Sequence, residues 1–340
     1  MRNFFLLLAF LSPPLLLAQQ LHTPTDLWRL AEASTLRYTL DSTLDTKATS
    51  TWPVLPPAWA YTSQRPNSLT QSVLLETKAA AQKYQLKADK FFEHGQYSKA
   101  ARNYEKAIAA QGSPPVRQLH ERLSHCYLAL EQSAEARQAI APILANSRGD
   151  FELQLLLSEL HRIDGNAERQ RYHLGLAHLF NRNDGDILAQ YRAQLREAQL
   201  EYRGWDFRPV YAVHRAGTGV RVQYGAPPWE AYGLCTALWE HEPGYRERMS
   251  ELSNQPPDRI QQKECLFNAL IAYEQDGGKA EAYPGLATLA RIVPDQQIDW
   301  FILYEIEARR EPQILLSLAE EELHQLLGYI ERYRCRAVAP

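Results

Sequence analysis

Between Gln82 and Ala110 apolar and small residues recur every three or four positions on both sides of a single glycine. Tyr84, Ala88 and Phe91 share one helical face before Gly95; Tyr97, Ala100, Tyr104 and Ala107 share another after it. The spacing predicts two helices joined by a tight turn, with Gly95 where the first helix must end in a left-handed residue. Small Ala100 lets the helices approach, and the aromatic rings fill the wedge between them. The pattern then returns: the position equivalent to Gly95 is Glu131 after 36 residues and Gly165 after a further 34. Leu123, Tyr127, Ala136, Ile140 and Ile143 occupy the framework of the second unit, and Leu157, Ser158, Leu174 and Ala177 that of the third. One such hairpin cannot bury both of its faces, so the three must stack on one another.

A period near 34 residues with helix, turn and helix in each unit resembles the tetratricopeptide repeat. The first unit carries that family's small residues (Ala88, Ala100, Ala107), its glycine and its aromatics; the second has Glu131 at the turn, and the third has His161 and Gln170 where the pattern has an aromatic and an alanine. The resemblance covers about a third of the chain. It implies a helical-hairpin solenoid over residues 71–200; together with the apolar faces read further along the chain, the expected class is all-α, with that solenoid followed by a second helical region over 201–340 that resembles no known family.

In that family the first helices of successive units line a concave groove that holds a peptide or protein segment. The carry-over places Gln82, Gln85, Asp89, Phe92 and Glu93 of the first unit there, Gln118, Glu121, His125 and Leu128 of the second, and Glu152, Leu155, Glu159 and Arg162 of the third. Five carboxylates then face one arginine. The subfamily that grips a C-terminal carboxylate has Lys and Asn at these places, and this groove has Gln and Asp. The resemblance therefore implies a protein or peptide partner of polar or basic character, with Phe92 and Leu128 as apolar anchors. The candidate binding residues are Gln85, Asp89, Phe92, Glu121, His125, Leu128 and Glu159; the alternative is that these acids form only a solvated face.

The rest of the chain is less regular. Arg2 precedes an apolar run from Phe4 to Leu17 that Pro13-Pro14 interrupts, then Ala18-Gln19. Residues 1–18 are expected to be a secretory signal peptide cut after Ala18, too short and broken for a membrane span. The mature chain is expected to be exported to the periplasm or outer surface of a bacterium, with no cysteine at the cut to suggest a lipoprotein. Residues 19–70 are rich in Thr, Ser and Pro and read as a largely unstructured linker, with a short helix near Asp26 to Leu36 as an option. After the repeats, Ile187 to Leu200 suits a capping helix or the first half of a fourth unit. Val210–Val213 and Val220–Tyr224 around Gly217-Thr218-Gly219 fit a strand hairpin, although a loop or helix fits as well. From Pro228 onward, apolar faces at Trp229–Trp239, Leu266–Ile271, Pro284–Ile292, Ile298–Ile306 and Ile314–Tyr333 predict further helices.

Charge adds little: removing Arg2 leaves 36 basic against 40 acidic residues, which makes no electrostatic case for nucleic acid or an anionic membrane. His241-Glu242 opens the zinc-protease motif, but Tyr245 stands where the second histidine is required. Gly217 and Gly219 lack the third glycine of a nucleotide fingerprint, and no nucleophile-elbow serine occurs. No catalytic residue, metal ligand or cofactor is therefore assigned. The cysteines Cys126, Cys235, Cys265 and Cys335 lie 109, 30 and 70 residues apart, which excludes a CxxC motif. A Cys235–Cys265 bond across consecutive helices and four buried thiols are both open. The leading expectation is a non-catalytic interaction scaffold of the cell envelope. The alternative is an enzyme or small-ligand binder whose site lies in the C-terminal helices, with Glu240, His241 and His214, or Trp205, Trp229, Trp239 and Trp300, as its material.

Overall fold

The computed structural model describes residues 21–44, 76–145, 149–253 and 255–338. The expected leader and most of the expected linker lie outside these. Pro24–Ala33 forms α1 and Arg37–Asp41 forms β1. Helices then come in pairs: Ala79–Glu93 (α2) with Tyr97–Gln111 (α3), Arg117–Ala129 (α4) with Ser133–Leu144 (α5), and Phe151–Ile163 (α6) with Ala167–Phe180 (α7). Gly185–Glu197 (α8), Leu200–Tyr202 (β2), Tyr211–Ala216 (β3) and Gly219–Tyr224 (β4) follow, then Pro227–His241 (α9), Tyr245–Glu251 (α10), Pro257–Gln275 (α11), Pro284–Ile292 (α12), Glu320–Tyr329 (α13) and Cys335–Ala337 (β5). The fold is helical, with a repeat solenoid and a second helical region, and two small sheets accompany it. The described residues divide into two compact units, one within residues 76–203 and 307–338, the other within 21–44 and 204–306.

In the first unit the three hairpins share one turn. Gly95, Glu131 and Gly165 have φ of 67°, 61° and 70°, all in the left-handed region. At each turn the same two bonds close the helix end: Gly95 N–H to Phe92 O and Gln96 N–H to Phe91 O, Glu131 to Leu128 and Gln132 to Tyr127, Gly165 to Arg162 and Asn166 to His161, all between 2.8 and 3.1 Å. These bonds satisfy carbonyls that the helix leaves without partners. Glu131 holds this conformation with a Cβ, against the preference of an L-residue. Replacing Glu131 with glycine is therefore expected to stabilise the unit by about 0.5–1 kcal/mol, read as a higher urea midpoint at unchanged slope. An unchanged or lower midpoint would mean that the backbone at residue 131 is not strained.

The core of the array runs through the hairpins. Ala88, Ala100, Tyr104, Ala107, Leu119, Leu123 and Cys126 form one buried cluster, and Ala136, Ile140, Ile143, Leu153, Leu156 and Leu160 form the next. Cross-helix bonds accompany them: Ser124 Oγ donates to Ala136 O at 3.0 Å, and His120 Nδ1 lies 2.7 Å from Ala139 O.

The end of the array differs from the expected cap. α8 packs on α7, and the C-terminal segment returns to the same unit, where β5 pairs antiparallel with β2 from Leu200–Ala337 to Tyr202–Cys335. Residues 201–340 are thus not one domain, since 307–338 belong with the repeats. The reason lies in α7, whose residues Leu174 to Phe180 are all buried; a helix apolar on all sides needs cover on more than one. Gly175 marks the closest approach: a Cβ there would lie 2.7 Å from Leu327 of α13 and 3.4 Å from the Tyr191 ring of α8. The expected helix over Ile314–Tyr333 is interrupted. Pro312–Ser317 is a tight 3-10 turn, Glu322 caps Ala319 N–H at 2.7 Å to start α13, and Ile330–Arg334 continues in wider turns.

In the second unit, residues 24–41 are not a spacer. Thr23 and Asp26 form a reciprocal capping box at the start of α1, and Leu27, Ala31 and Leu36 are buried. Of the readings open for residues 210–224, the strand hairpin is the one adopted. β3 pairs antiparallel with β4, and β1 adds to the other edge of β4 in parallel, from Arg37–Gly219 to Asp41–Gln223. β1 supplies the unpaired edge of β4 with backbone partners. Val220 and Val222 pack with Leu36 and Ala237, and Gly233 of α9 lets the helix approach the sheet; a Cβ there would lie 2.8 Å from Val222.

Candidate partner-binding face

The first helices of the three hairpins, α2, α4 and α6, carry the residues that the sequence singles out. Neighbouring first helices meet in repeat register. Gln85 Nε2 reaches Gln118 Oε1 at 3.4 Å, 33 residues on, and Arg117 reaches Asp150, again 33 residues on.

Each expected residue has a definite setting. Asp89 accepts the Tyr104 hydroxyl at 2.5 Å, so it holds a fully buried tyrosine of its own hairpin. Burial and this carboxylate raise the Tyr104 hydroxyl well above its ordinary range. Phe92 lies edge-on to Tyr97 with ring centres 5.5 Å apart, and the Arg122 guanidinium sits 5.0 Å from its centre. Leu128 packs against the second core cluster. His125 is half exposed, 3.8 Å from Glu121. Glu159 is paired within its own helix to Arg162 at 2.6 Å.

Arg117, which the sequence reading did not place on this face, reorganises its charge. The guanidinium bonds Glu121 at 3.1 Å, Glu152 at 2.5 Å and Asp150, whose second oxygen it reaches at 2.9 Å. Asp150 also caps α6, accepting from Glu152 and Leu153 N–H. Burial raises the Asp150 and Glu152 carboxyls despite Arg117. For Glu121 burial acts in the same sense, but His125 and Arg117 outweigh it and leave the carboxyl below its ordinary range. The expected field of five carboxylates is thus largely compensated within the protein: Glu121 and Glu152 by Arg117, Glu159 by Arg162. Asp89 and Glu93, on α2, have no ion-pair partner among the described residues.

The same unit holds a cavity of about 580 Å³ that sequence reasoning missed, bounded by α7, α8 and α13. Tyr172 stacks on His324 with ring centres 4.5 Å apart, and His173 stacks on His161 at 5.1 Å. His173 Nδ1 lies 2.8 Å from Gln154 Oε1, and Arg171 pairs with Glu331 at 3.3 Å. His161, Gln154 and His173 meet within the α6–α7 hairpin, whereas His324 and Glu331 arrive through the return of the C-terminal segment, for which the sequence carries no local signal. Burial, with His161 and two arginines nearby, lowers His173 from 6.5 to about 4. An imidazole whose folded value lies below its unfolded one contributes stability that is present above the unfolded value and lost as pH falls through the window below it. Protonation of His173 is therefore expected to cost the repeat unit roughly 1–2 kcal/mol between pH 6.5 and pH 4, less than the full shift because the ring keeps partial solvent access. Denaturation midpoints across that range measure it, and His173→Gln should flatten the slope.

The residues of the alternative reading lie in the other unit. Glu242 accepts Ser34 Oγ at 2.5 Å and the Tyr38 hydroxyl at 3.1 Å, while His241 lies 3.9 Å from Glu240. His214 is exposed on β3. Trp229 and Trp239 are core residues, Trp229 against Phe207 and Tyr232 and Trp239 against Tyr245. No cluster of His, Cys, Asp or Glu suited to a metal occurs among the described residues, and none of their helices is long and apolar enough to cross a membrane.

Comparison with known proteins agrees with the period. Residues 91–160 match the tetratricopeptide repeat family model. A similar solved structure is the first tetratricopeptide domain of Spaghetti (RPAP3) bound to an HSP90 peptide, at 16% identity and a TM-score of 0.33, covering 37% of this chain and 98% of that one. No curated protein matches the chain.

Proposed function

We propose that this protein is a non-catalytic interaction scaffold that binds an extended segment of a partner protein along α2, α4 and α6. The observation that carries the reading is the register of those helices, which meet through Gln85–Gln118 and Arg117–Asp150 at one repeat's spacing. The match of residues 91–160 to a repeat family supports it. Between the fixed contacts, Gln82, Glu93 and Gln118 are exposed and Gln85 and His125 half-buried, a polar row beside the partly buried rings and side chains of Phe92 and Leu128. Such a row suits backbone and side-chain hydrogen bonds to an extended chain, with apolar anchors at Phe92 and Leu128. Basic character in the partner segment would be read by Asp89 and Glu93, because the remaining carboxylates are engaged. The leader composition further supports action outside the cytoplasm, in a bacterial envelope, with a mature chain that starts at Gln19.

The test is a displayed peptide library selected on the full chain, followed by affinities for a triple variant Gln82→Ala, Gln85→Ala, Glu93→Lys. These residues leave the core and the Arg117 network in place. A selected peptide should bind the variant at least tenfold more weakly, while a change at Trp28 in the other unit should leave binding unaltered. Equal affinity for the triple variant would overturn the assignment of this face. Fractionation with N-terminal sequencing tests the compartment, with Gln19 as the expected first residue.

A further inference from the structure

The second unit brings together two cysteines that the binding face does not use. Cys235 sits in the middle of α9 and Cys265 in the middle of α11, helices that pack side by side. Their sulfurs are 2.6 Å apart. Non-bonded heavy atoms settle roughly 3.5–4 Å from one another, so two separate thiols would not rest this close. Both residues are buried, at 0% and 1% exposure. The surroundings offer no competing partner of strength: Thr236 Oγ1 lies 3.7 Å from Cys265 Sγ, and Glu264 Oε2 lies 4.0 Å from Cys235 Sγ.

From this geometry we infer that Cys235 and Cys265 are a disulfide-forming pair that fastens α9 to α11. The inference is independent of the partner-binding face, which lies in the other unit. Bond formation is an exchange with a low-molecular-weight or protein disulfide. One cysteine thiolate attacks the oxidant's sulfur and expels a thiolate, and the second cysteine then attacks the mixed disulfide and expels the other. The two cysteines are oxidised by two electrons, the oxidant's disulfide is reduced to two thiols, and the two cysteine protons end on those thiols. Because neither sulfur is reachable in the folded unit, exchange happens before α9 and α11 close. The bond is afterwards shielded from reductant. Burial also pushes the Cys235 thiol far above its ordinary range, so the folded dithiol is a poor nucleophile and does not exchange in place.

The bond would anchor a crowded centre. Beside the sulfurs, Glu264 is fully buried and accepts Trp239 Nε1 at 2.6 Å, the Tyr245 hydroxyl at 3.0 Å and His22 N–H at 2.8 Å. Fixing α9 to α11 holds Trp239 and Glu264 in this arrangement and thereby the His22 segment ahead of α1.

The experiment is to refold the full chain from denaturant in a buffer of oxidised and reduced glutathione, then denature it and alkylate without reduction. Cys126 and Cys335, both in the repeat unit, serve as internal references. The expected result is two alkylated thiols per chain, a mass about 2 Da below the reduced chain before alkylation, and one cross-linked peptide pair containing Cys235 and Cys265. The oxidised chain should melt roughly 5–10 °C above the same chain refolded with reductant. Four alkylated thiols after oxidative refolding, or linkage through Cys126 or Cys335, would overturn the inference. A Cys235→Ala, Cys265→Ala variant gives a second readout that does not depend on its stability: refolded identically, it should still show two free thiols and no cross-link.

Discussion

Glu264→Ala is expected to lower the stability of the α9–α11 unit by roughly 3–5 kcal/mol. The side chain is completely buried and is the common acceptor of three donors: the Trp239 indole, the Tyr245 hydroxyl and the His22 backbone N–H. The His22 ring adds a contact at 3.0 Å and lies 2.8 Å from the Tyr245 hydroxyl. Removing the carboxylate strands donors that water cannot reach, and each costs its own desolvation. Against a total stability of about 5–15 kcal/mol for a typical domain, such a loss brings the unit close to unfolding. Tyr245→Phe removes one donor and leaves the acceptor with its others, so it should cost only about 1 kcal/mol. Urea denaturation of the variants in one fixed redox buffer distinguishes them. If Glu264→Ala costs less than Tyr245→Phe, the carboxylate is not the centre of the network.

Arg117→Ala should cost roughly 2–4 kcal/mol, because it leaves Asp150, a carboxylate with 1% side-chain exposure, without its counter-charge. Glu121 and Glu152 lose the same partner and are left repelling one another. The loss has a pH signature. Burial already raises Asp150, and removing the guanidinium raises it further, so the folded variant binds a proton more tightly than the unfolded chain does. Stability in that case is fully present below the unfolded value and is lost as pH rises from there through the folded value. The deficit of the variant is therefore largest at neutral pH and shrinks on mild acidification. Asp150→Asn in the Arg117→Ala background should recover much of the loss, since asparagine removes the charge and still caps α6. A deficit independent of pH, with no recovery by Asp150→Asn, would mean that Arg117 acts through packing alone.

The two networks also bear on how function would be tested. Reversing charge at Asp89 or Glu121 looks like a direct probe of partner binding. Yet Asp89 holds the buried Tyr104 hydroxyl and Glu121 belongs to the Arg117 cluster, so either change perturbs the array itself. Gln82, Gln85 and Glu93 are free of that confusion, whereas His125 touches Glu121.

What the sequence determined by itself was local and periodic. Apolar spacing defined the hairpins from Gln82 to Phe180, and the recurrence of Gly95 at Glu131 and Gly165 located their turns, even though glutamate conceals the second. Both follow from short-range physics: helical periodicity is written in residues three and four apart, and a left-handed turn is written in one position and two backbone bonds. Tertiary structure decided everything that depends on distant segments. β1 completes a sheet with β4 about 180 residues away, β5 returns to β2, and Arg117 gathers carboxylates from the next repeat. Glu264 collects donors from residues 22, 239 and 245. No local pattern specifies such meetings, because an unpaired strand edge or a buried carboxylate states only that it needs a partner. Which partner it finds is set by how the helices close around it.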